Sequence, residues 1–534
     1  MTVICIFMFL CFIRLSAQKS TPADRSYVAA VVEYQVQSNE TANLQKYLQL
    51  IEEAASQNAD IIVFPEMTLT RGQSVVVPIY GLLKVYPVPA THPELYDEVL
   101  VSISEAAKQS QIYVVINVQE MMDCKNGGSP GENCPKQKQY RFNTNVVFDR
   151  NGAVIDRYRK INLFGEYSRT AALTPDLGIF TTDFGVTFGH FICFDLMFQV
   201  PSIQVVQKNK ITDVIFPTMW FSELPYLTAV EIQQAYAHTM NVNFLAAGAN
   251  NVRVGSTGSG IFSGKAGALI SLMTGVPTTR LLVAEVPKVP GQVEGTYPGP
   301  IYDNPADQDN LLLKTDPSLL SHVSRLLKTG LEEFTLEDKD VYCHFKVRLS
   351  QRNGNTAPLY RAFVHDSFNI YAKNHLGTAG CVIVSCKNED LKSCYYRFNT
   401  EETNTEIEEL EIELTSYRSH YNNTLKCDDV IYYPISLRNN KYPLNPQNYT
   451  FRIDQTRHFY TLTDNNEIIQ DDQQSITYRL NSPQIELLSF GIWGRIYGED
   501  SKVGKEVVNE NVEPHAEIKN SLLGDQKADI INIK

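Results

Sequence analysis

Short apolar runs alternate with segments of helical periodicity between Tyr27 and about Pro290. Runs of this length, rich in Val, Ile and Phe, predict buried strands. They occur at 27–34, 60–64, 112–118, 144–149, 154–158, 188–198, 211–216, 243–249 and 281–286. Apolar residues spaced by three and four predict helices from about Thr41, over 95–106 and over 229–240. Strands that alternate with amphipathic helices predict a layered α/β domain.

The pattern changes after Pro290. A passage rich in Pro and Gly leads to residues 318–327, which we predict to be a helical connector. From Val341 onward strand patterns dominate, so we predict a β-rich second domain. These strands are predicted at 381–386, 410–414, 451–453, 459–462 and 476–480. The seven acids between Glu401 and Glu413 fit a solvated edge strand better than a ligand site, because charge on an edge prevents strand addition.

The two ends differ in character from the rest of the chain. Residues 3–13 form an apolar run that is too short to span a bilayer and is typical of a signal peptide. We predict a signal over 1–17, with a membrane anchor as the less favoured alternative. Residues 501–534 are polar and predict a loosely ordered tail without a GPI signal. The domain limits predicted between these ends are 18–295 (catalytic), 296–340 (connector) and 341–500 (β-rich).

Composition is sufficient for a hydrophobic core and argues against nucleic acid as a partner. The chain has 534 residues, 43% of them hydrophobic and 20% charged, as in ordinary globular proteins. The formal net charge is -13 and no basic stripe is present, which argues against a nucleic-acid partner. Sequons at Asn39, Asn422 and Asn448 fit a secreted glycoprotein.

The cysteines favour the extracellular route. Cys124 and Cys134 bracket a loop rich in Gly and Pro, and we predict a local disulfide between them. If Cys193 stays free, at least one other cysteine of the mature chain is unpaired. The pairing of the late cysteines stays open: Cys343, Cys381, Cys386, Cys394 and Cys427.

Three polar groups stand where apolar runs end: Glu66, Lys160 and Cys193. Taken singly, they are most simply a solvated acid, a surface lysine and a buried thiol. Taken together they have a chemical use, because a nucleophilic thiol needs a base or a nearby cation. Glu66 can accept the proton, while Lys160 can favour the thiolate and then stabilise a negative oxygen.

Two further groups complete this candidate site. The backbone N–H of Phe194 is a natural second donor to the oxyanion. Glu166 lies six residues past Lys160, and its simplest alternative is a surface salt bridge. The set suits acyl transfer from an amide or nitrile through a thioester, which water then hydrolyses.

The motifs around these residues resemble those of the nitrilase superfamily. They are the Phe-Pro-Glu of residues 64–66, the Tyr-Arg-Lys of 158–160 and the Cys-Phe-Asp of 193–195, in that order. Within the superfamily the chain is similar to the vanin/biotinidase branch. The segments that carry this second likeness are 140–148, 257–261 and 494–497, and the likeness is looser after Pro290.

The resemblance implies a nitrilase-like αββα sandwich followed by a β-rich C-terminal domain. It also implies a secreted amidase that needs no metal and no cofactor. In that family pattern Cys193 is the nucleophile, Glu66 the general base and Lys160 the transition-state stabiliser. Glu166 would be the supporting acid that holds Lys160.

The resemblance leaves substrate and assembly open. We expect pantetheine to be cleaved to pantothenate and cysteamine, with biocytin cleavage by a biotinidase as the alternative. A third hypothesis is an inactive secreted binding protein, although the intact trio speaks against it. Related chains have a His-His pair at Asn250-Asn251 and an aliphatic residue at His190, so we expect these positions near the pocket. No transmembrane segment is expected after signal cleavage. The oligomeric state is left open between a homodimer and a monomer.

Overall fold

A computed structural model describes the fold of the chain. In its N-terminal half two β-sheets stack face to face. The structure describes residues 19–70, 72–124, 134–172, 176–295, 299–302, 310–352, 358–394, 404–421, 430–462 and 468–500. The predicted signal, Asn422, Cys427 and the predicted polar tail lie outside these residues.

The first sheet consists of β1 (Ser26–Gln35), β2 (Ile61–Val63), β3 (Tyr113–Asp123), β4 (Gln139–Phe148), β5 (Val154–Arg159) and β13 (Arg280–Pro287). The second consists of β6 (Gly178–Thr181), β7 (Thr187–His190), β8 (Asp213–Thr218), β10 (Asn243–Asn250), β11 (Ser259–Ser263), β12 (Gly267–Leu272) and β14 (Ile301–Tyr302). The strand orders are β13-β1-β2-β3-β4-β5 and β6-β7-β8-β10-β11-β12-β14. β1 and β10 pair at one end, which joins the two sheets.

Helices cover the outer face of each sheet. They are α1 (Glu40–Ser56), α2 (Leu82–Val85), α3 (Glu98–Ser110), α4 (Gln204–Gln207) and α5 (Ala229–Met240). α1 and α3 pack on the first sheet, and α5 packs on the second. Between the sheets lies a separate apolar layer that includes Val31 and Val63 from one side and Ile215 and Leu245 from the other. These four layers confirm the predicted αββα sandwich.

Local sequence explains where the long helices begin. The Asn39 side chain caps α1 by accepting a hydrogen bond from the backbone of Ala42. A Thr228–Glu231 capping box starts α5 at its predicted position. The helix predicted over 95–106 is displaced to α3, because Leu95 lies in a short turn ahead of α3 and is exposed.

The C-terminal half is a sandwich of two antiparallel sheets. One holds β16 (Val323–Leu326), β19 (Leu359–Tyr371), β20 (Asn374–Cys386), β22 (Val430–Arg438) and β26 (Leu487–Ile496). The other holds β17 (Gly330–Asp338), β18 (Val341–Gln351), β21 (Thr405–Tyr421), β23 (Tyr449–Ile453), β24 (Arg457–Leu462) and β25 (Ile468–Leu480). Their inner faces share one apolar core, which confirms the β-rich prediction.

Two expectations for this half are wrong. Residues 318–327 are not a helix: a 3-10 turn over Pro317–Ser321 leads into β16, which pairs with β19. The acidic segment does not form an edge either, because β21 lies between β18 and β25. Its outward acids instead pair with basic residues, as in Glu409 with Lys346 and Glu406 with Arg352.

The structure contains three disulfides among the described residues. Cys124–Cys134 confirms the predicted local bridge. Cys343–Cys381 connects β18 to β20 and so ties the two C-terminal sheets together. Cys386–Cys394 closes a short loop, and Cys193 is free and buried. No described helix combines the length and the apolar character needed to cross a bilayer.

The C-terminal sandwich packs against the outer face of the second N-terminal sheet. Thr239 of α5 donates to the backbone of Tyr432 in β22. A small sheet on the N-terminal side pairs β9 (Glu223–Leu224) with β15 (Lys314–Thr315). Arg495 of β26 is buried and donates to the carbonyl of Met197 at 2.9 Å. Since Met197 follows Cys193 by four residues, the second domain contacts the backbone of the candidate site directly.

We expect Arg495→Met to lower the free energy of unfolding by about 3 kcal/mol, because Asp500 and two carbonyls lose a buried donor. Urea unfolding followed by tryptophan fluorescence measures the change. Arg352→Met is the matched control, since Arg352 pairs with Glu406 on an exposed surface where ion pairs contribute little. Equal shifts in the two variants would contradict a structural role for Arg495.

Candidate active site

Cys193 opens a 3-10 turn, Cys193–Met197, and does not lie in a strand. β7 ends at His190, so the predicted strand over 188–198 is wrong after residue 190. The backbone of Cys193 has φ +48°, a left-handed conformation that costs an ordinary residue about 1–2 kcal/mol. A free cysteine is thus held, 5% exposed, at a sharp turn between a strand and a helical segment.

One buried carboxylate holds this turn in place. Asp195 accepts hydrogen bonds from the Tyr158 hydroxyl at 2.6 Å, the Asn162 backbone at 2.8 Å and the Asn162 side chain at 2.9 Å. A fourth comes from the backbone of Ile192 at 3.2 Å. Burial raises the pKa of Asp195 to about 6. Four donors converging on one carboxylate offset the strain at Cys193 and fix its position.

Glu66 and Lys160 stand at strand ends, as the sequence predicts. Glu66 follows β2 after two residues, and Lys160 follows β5 directly. Their side chains meet in the interior, where Lys160 Nζ donates to Glu66 Oε1 at 2.8 Å. They are 1% and 4% exposed, Lys160 being the more buried. Two ionisable groups from separate strands are therefore brought into contact behind Cys193.

Glu166 lies on the other side of Lys160. Lys160 Nζ donates to Glu166 Oε1 at 2.6 Å, so the ammonium sits between two carboxylates. The amide of Asn143 donates to both acids, at 2.7 Å to Glu66 and 3.0 Å to Glu166. The surface salt bridge that was the alternative for Glu166 is excluded, because its partner is buried.

Charge balance keeps Lys160 protonated. Burial acts to lower the pKa of Lys160, but Glu166 and then Glu66 outweigh it and hold the pKa well above its ordinary value. Burial likewise acts to raise the pKa of Glu166, yet Lys160 and Arg169 bring it below its ordinary value. The site therefore contains a fixed ammonium ion at neutral pH.

The Cys193 thiol behaves differently from the sequence expectation. Burial, followed by the negative charge of Glu66, raises the pKa of Cys193 well above that of a free cysteine, while Lys160 acts in the opposite direction. Cys193 and Glu66 contact the same residue, Met219. Cys193 Sγ lies 3.6 Å from the Met219 carbonyl oxygen, and the Met219 N–H donates to Glu66 Oε2 at 2.8 Å. At rest the nucleophile candidate is a thiol beside a carboxylate, and Lys160 does not make it a thiolate.

A partly open cleft lies at Cys193. Its walls are mainly apolar, and polar groups are confined to a few positions. The apolar lining is Phe164, Phe194, Met197, Trp220, Phe221 and Leu227. Tyr371 also lines it and comes from β19, so both domains contribute to the cleft.

Two positions expected near the pocket lie elsewhere. His190 is fully buried, with Nε2 2.8 Å from Asp156 and Nδ1 3.4 Å from the Asn145 amide. Asn250 donates to the buried carboxylate of Glu33 at 2.8 Å. Neither residue lines the cleft at Cys193, and a Cys193–His190 dyad does not form.

Sequence reasoning gave no role to three residues that the structure places in the site: Asn143, Asp195 and Met219. The first two stood inside motifs used for the family resemblance, at 140–148 and 193–195, so their positions were visible but their contacts were not. Met219 acts through its backbone, which no side-chain pattern reveals. No group of three or more His, Cys, Asp or Glu in the described part of the chain is arranged to hold a metal ion.

Comparison with known proteins identifies the family. The carbon-nitrogen hydrolase family model matches residues 28–273, and the vanin C-terminal domain model matches residues 312–500. Vanin-like protein 2 of Drosophila melanogaster is 31% identical over 94% of this chain and 95% of its own length. The chain belongs to the vanin and biotinidase family. The protein is therefore a carbon–nitrogen amide hydrolase.

Vertebrate members of the family are also similar. Pantetheinase of Mus musculus is 29% identical over 74% of this chain and 81% of its own. Biotinidase of Homo sapiens is 33% identical over 61% of this chain and 58% of its own. Among solved structures, Saccharomyces cerevisiae Nit3, of the nitrilase superfamily, matches at 18% identity with a TM-score of 0.40, over 51% of this chain and 93% of that one.

We expect Asp195→Asn to lower the free energy of unfolding by about 2 kcal/mol, because an amide presents N–H groups to donors that a carboxylate satisfied. Turnover should fall as well, since the turn that carries Cys193 loses its anchor. Denaturant unfolding and amide hydrolysis measure the two effects. Asp183→Asn, at a half-exposed acid, is the control and should leave both unchanged.

Proposed function

We propose that Cys193 attacks the carbonyl carbon of an amide, with Glu66 as general base and Lys160 as the stabilising cation. The observation that carries this proposal is the ammonium of Lys160, held between Glu66 and Glu166 behind a free cysteine in a cleft. These catalytic residues belong to the segment we take as the N-terminal domain, residues 18–295.

The first step follows from the protonation state at rest. Because Cys193 is a thiol beside Glu66, its proton passes to that carboxylate as the S–C bond forms. The carbonyl oxygen gains negative charge in the tetrahedral intermediate. Lys160 has three N–H groups, two of which are used by Glu66 and Glu166, so one remains for this oxygen. The Phe194 N–H, which donates to no other described residue, is the second donor.

Collapse of the intermediate completes acylation. The C–N bond breaks, the amine leaves with the proton from Glu66, and a thioester forms on Cys193. Water then attacks the thioester with Glu66 again accepting a proton, which releases the acid and restores the thiol. Asn143 and Glu166 act as positioning residues, since their hydrogen bonds fix the side chains of Glu66 and Lys160.

We take pantetheine, cleaved to pantothenate and cysteamine, as the substrate. Its acyl group combines alkyl carbons with a few polar groups, which matches apolar walls with few polar positions, and a relative named pantetheinase supports it. Biocytin cleavage is the second candidate, supported by relatives named biotinidase. The complete set of Glu66, Lys160 and Cys193 speaks against an inactive binding protein.

We also propose that the protein is a secreted glycoprotein. Its described disulfides are typical of chains that fold in an oxidising compartment. Asn39 is exposed at the start of α1, and Asn448 lies in a surface turn, so both sequons are open to modification.

Cys193→Ala should abolish pantetheine hydrolysis, with kcat falling at least about 10⁴-fold, because no other nucleophile lines the cleft at this position. Release of cysteamine, detected with a thiol reagent, measures the loss. The unfolding midpoint should stay near that of the parent, since only Sγ is removed. Parent-like turnover in this variant would show that Cys193 is not the nucleophile.

Glu66→Gln should move two readouts in opposite directions. Turnover should fall about 10²- to 10⁴-fold, because the general base is lost. Alkylation of Cys193 by iodoacetamide at pH 7.5 should become faster, because the charge that raises the thiol pKa is gone. Glu52→Gln on the exposed face of α1 is the control. Unchanged turnover with slower alkylation would refute the role given to Glu66.

A further inference from the structure

The cleft at Cys193 has one polar end, formed by Glu223, Lys314 and Tyr371. Glu223 and Lys314 are register partners in the small sheet of β9 and β15. Tyr371 is the last residue of β19 and reaches this end from the C-terminal domain. We call these three side chains the polar end of the cleft. They do not touch Glu66 or Lys160, and the mechanism above makes no use of them.

Unsatisfied hydrogen-bonding capacity distinguishes this polar end from an ordinary ion pair. Tyr371 donates to Glu223 Oε1 at 3.1 Å, while Glu223 Oε2 accepts no hydrogen bond from any described residue. Lys314 is paired with Glu223 in the small sheet, yet its ammonium forms no salt bridge with any described residue. The ammonium lies 6.0 Å from the centre of the Phe221 ring. An acceptor and a donor thus lie side by side without neutralising each other.

The surroundings hold Tyr371 firmly. The Asn369 amide donates to Asp316 at 2.9 Å and to the Tyr371 hydroxyl at 3.3 Å. Asp316 also caps the turn that follows β15. Burial, and after it the charge of Asp316, raises the pKa of Glu223 to about 7. Desolvation of this kind is tolerated where a ligand group supplies the missing hydrogen bonds.

We propose that Glu223, Lys314 and Tyr371 form a specificity subsite that binds the hydroxyl groups of the substrate's acyl part. A hydroxyl both donates and accepts, so a diol can donate to Glu223 Oε2 and accept from Lys314 Nζ. A group of one charge would gain from one of these residues and be repelled by the other. The apolar walls suit the alkyl carbons that carry the hydroxyls. This inference rests on the proposed function and deepens it.

One consequence is that substrate selection depends on both domains. Lys314 comes from the segment that links the sandwiches, Glu223 from the N-terminal strand that pairs with it, and Tyr371 from the second sandwich. The catalytic groups alone would accept any unhindered amide. The C-terminal domain then contributes Tyr371, whose hydroxyl holds Glu223 in the subsite, in addition to its packing role.

Binding to a Cys193→Ser background tests the subsite without turnover. Isothermal titration calorimetry would compare pantetheine with its analogue lacking both hydroxyls. We expect the Cys193→Ser variant to bind pantetheine about 10- to 100-fold more tightly than the analogue, which is the gain typical of hydrogen bonds to charged groups. Adding Tyr371→Phe or Glu223→Gln should remove most of this difference by weakening pantetheine alone. Tyr342→Phe, an exposed tyrosine on β18, is the matched control.

The outcomes separate the subsite from the proposed function. Equal affinity for both ligands, no binding of either, or loss of both ligands together in the two variants overturns the subsite. Tighter binding of biocytin that depends on Glu223 and Lys314 also overturns it, in favour of a site for the lysine zwitterion. If the expected binding pattern holds but the parent enzyme does not hydrolyse pantetheine, the subsite stands and the proposed reaction fails.

Discussion

A buried ammonium ion governs the arrangement of this active site. Lys160 is 1% exposed, and an isolated charge at such a depth would be strongly destabilising. Two carboxylates, Glu66 and Glu166, offset that cost, and Asn143 binds both of them. Strands β2 and β5, which end just before Glu66 and Lys160, must therefore end close together. Removing Lys160 would leave the two carboxylates without the cation that they share, so geometry and electrostatics are coupled here.

The second domain completes the site from outside the sandwich. Arg495 binds the carbonyl of Met197, at the end of the turn that Cys193 opens, and Tyr371 lines the cleft. Both come from strands of the same C-terminal sheet, β26 and β19. The disulfide between Cys343 and Cys381 stiffens that sheet against its neighbour. A domain that holds none of the proposed catalytic residues thus supports the backbone around the nucleophile.

Much of the fold follows from local patterns, and the site follows in part. Alternating apolar runs predicted most strands of the N-terminal sandwich, and Glu66 and Lys160 lie at strand ends as predicted. Strands β11 and β12 were missed because Gly and Ser dilute their apolar signal. The turn at Cys193 could not be predicted from its local sequence either. Its apolar sequence is that of a strand, and three of the four hydrogen bonds that hold the bend through Asp195 come from the distant residues Tyr158 and Asn162.

The protonated state of Cys193 has a consequence for durability. The thiolate, not the thiol, reacts with peroxides and exchanges with disulfides. By raising the pKa of Cys193, burial and Glu66 keep the sulfur in its unreactive form until a substrate arrives. The described residues also include three disulfides, which are typical of oxidising compartments. The same carboxylate that we propose as the general base thus disfavours the thiolate that oxidants attack.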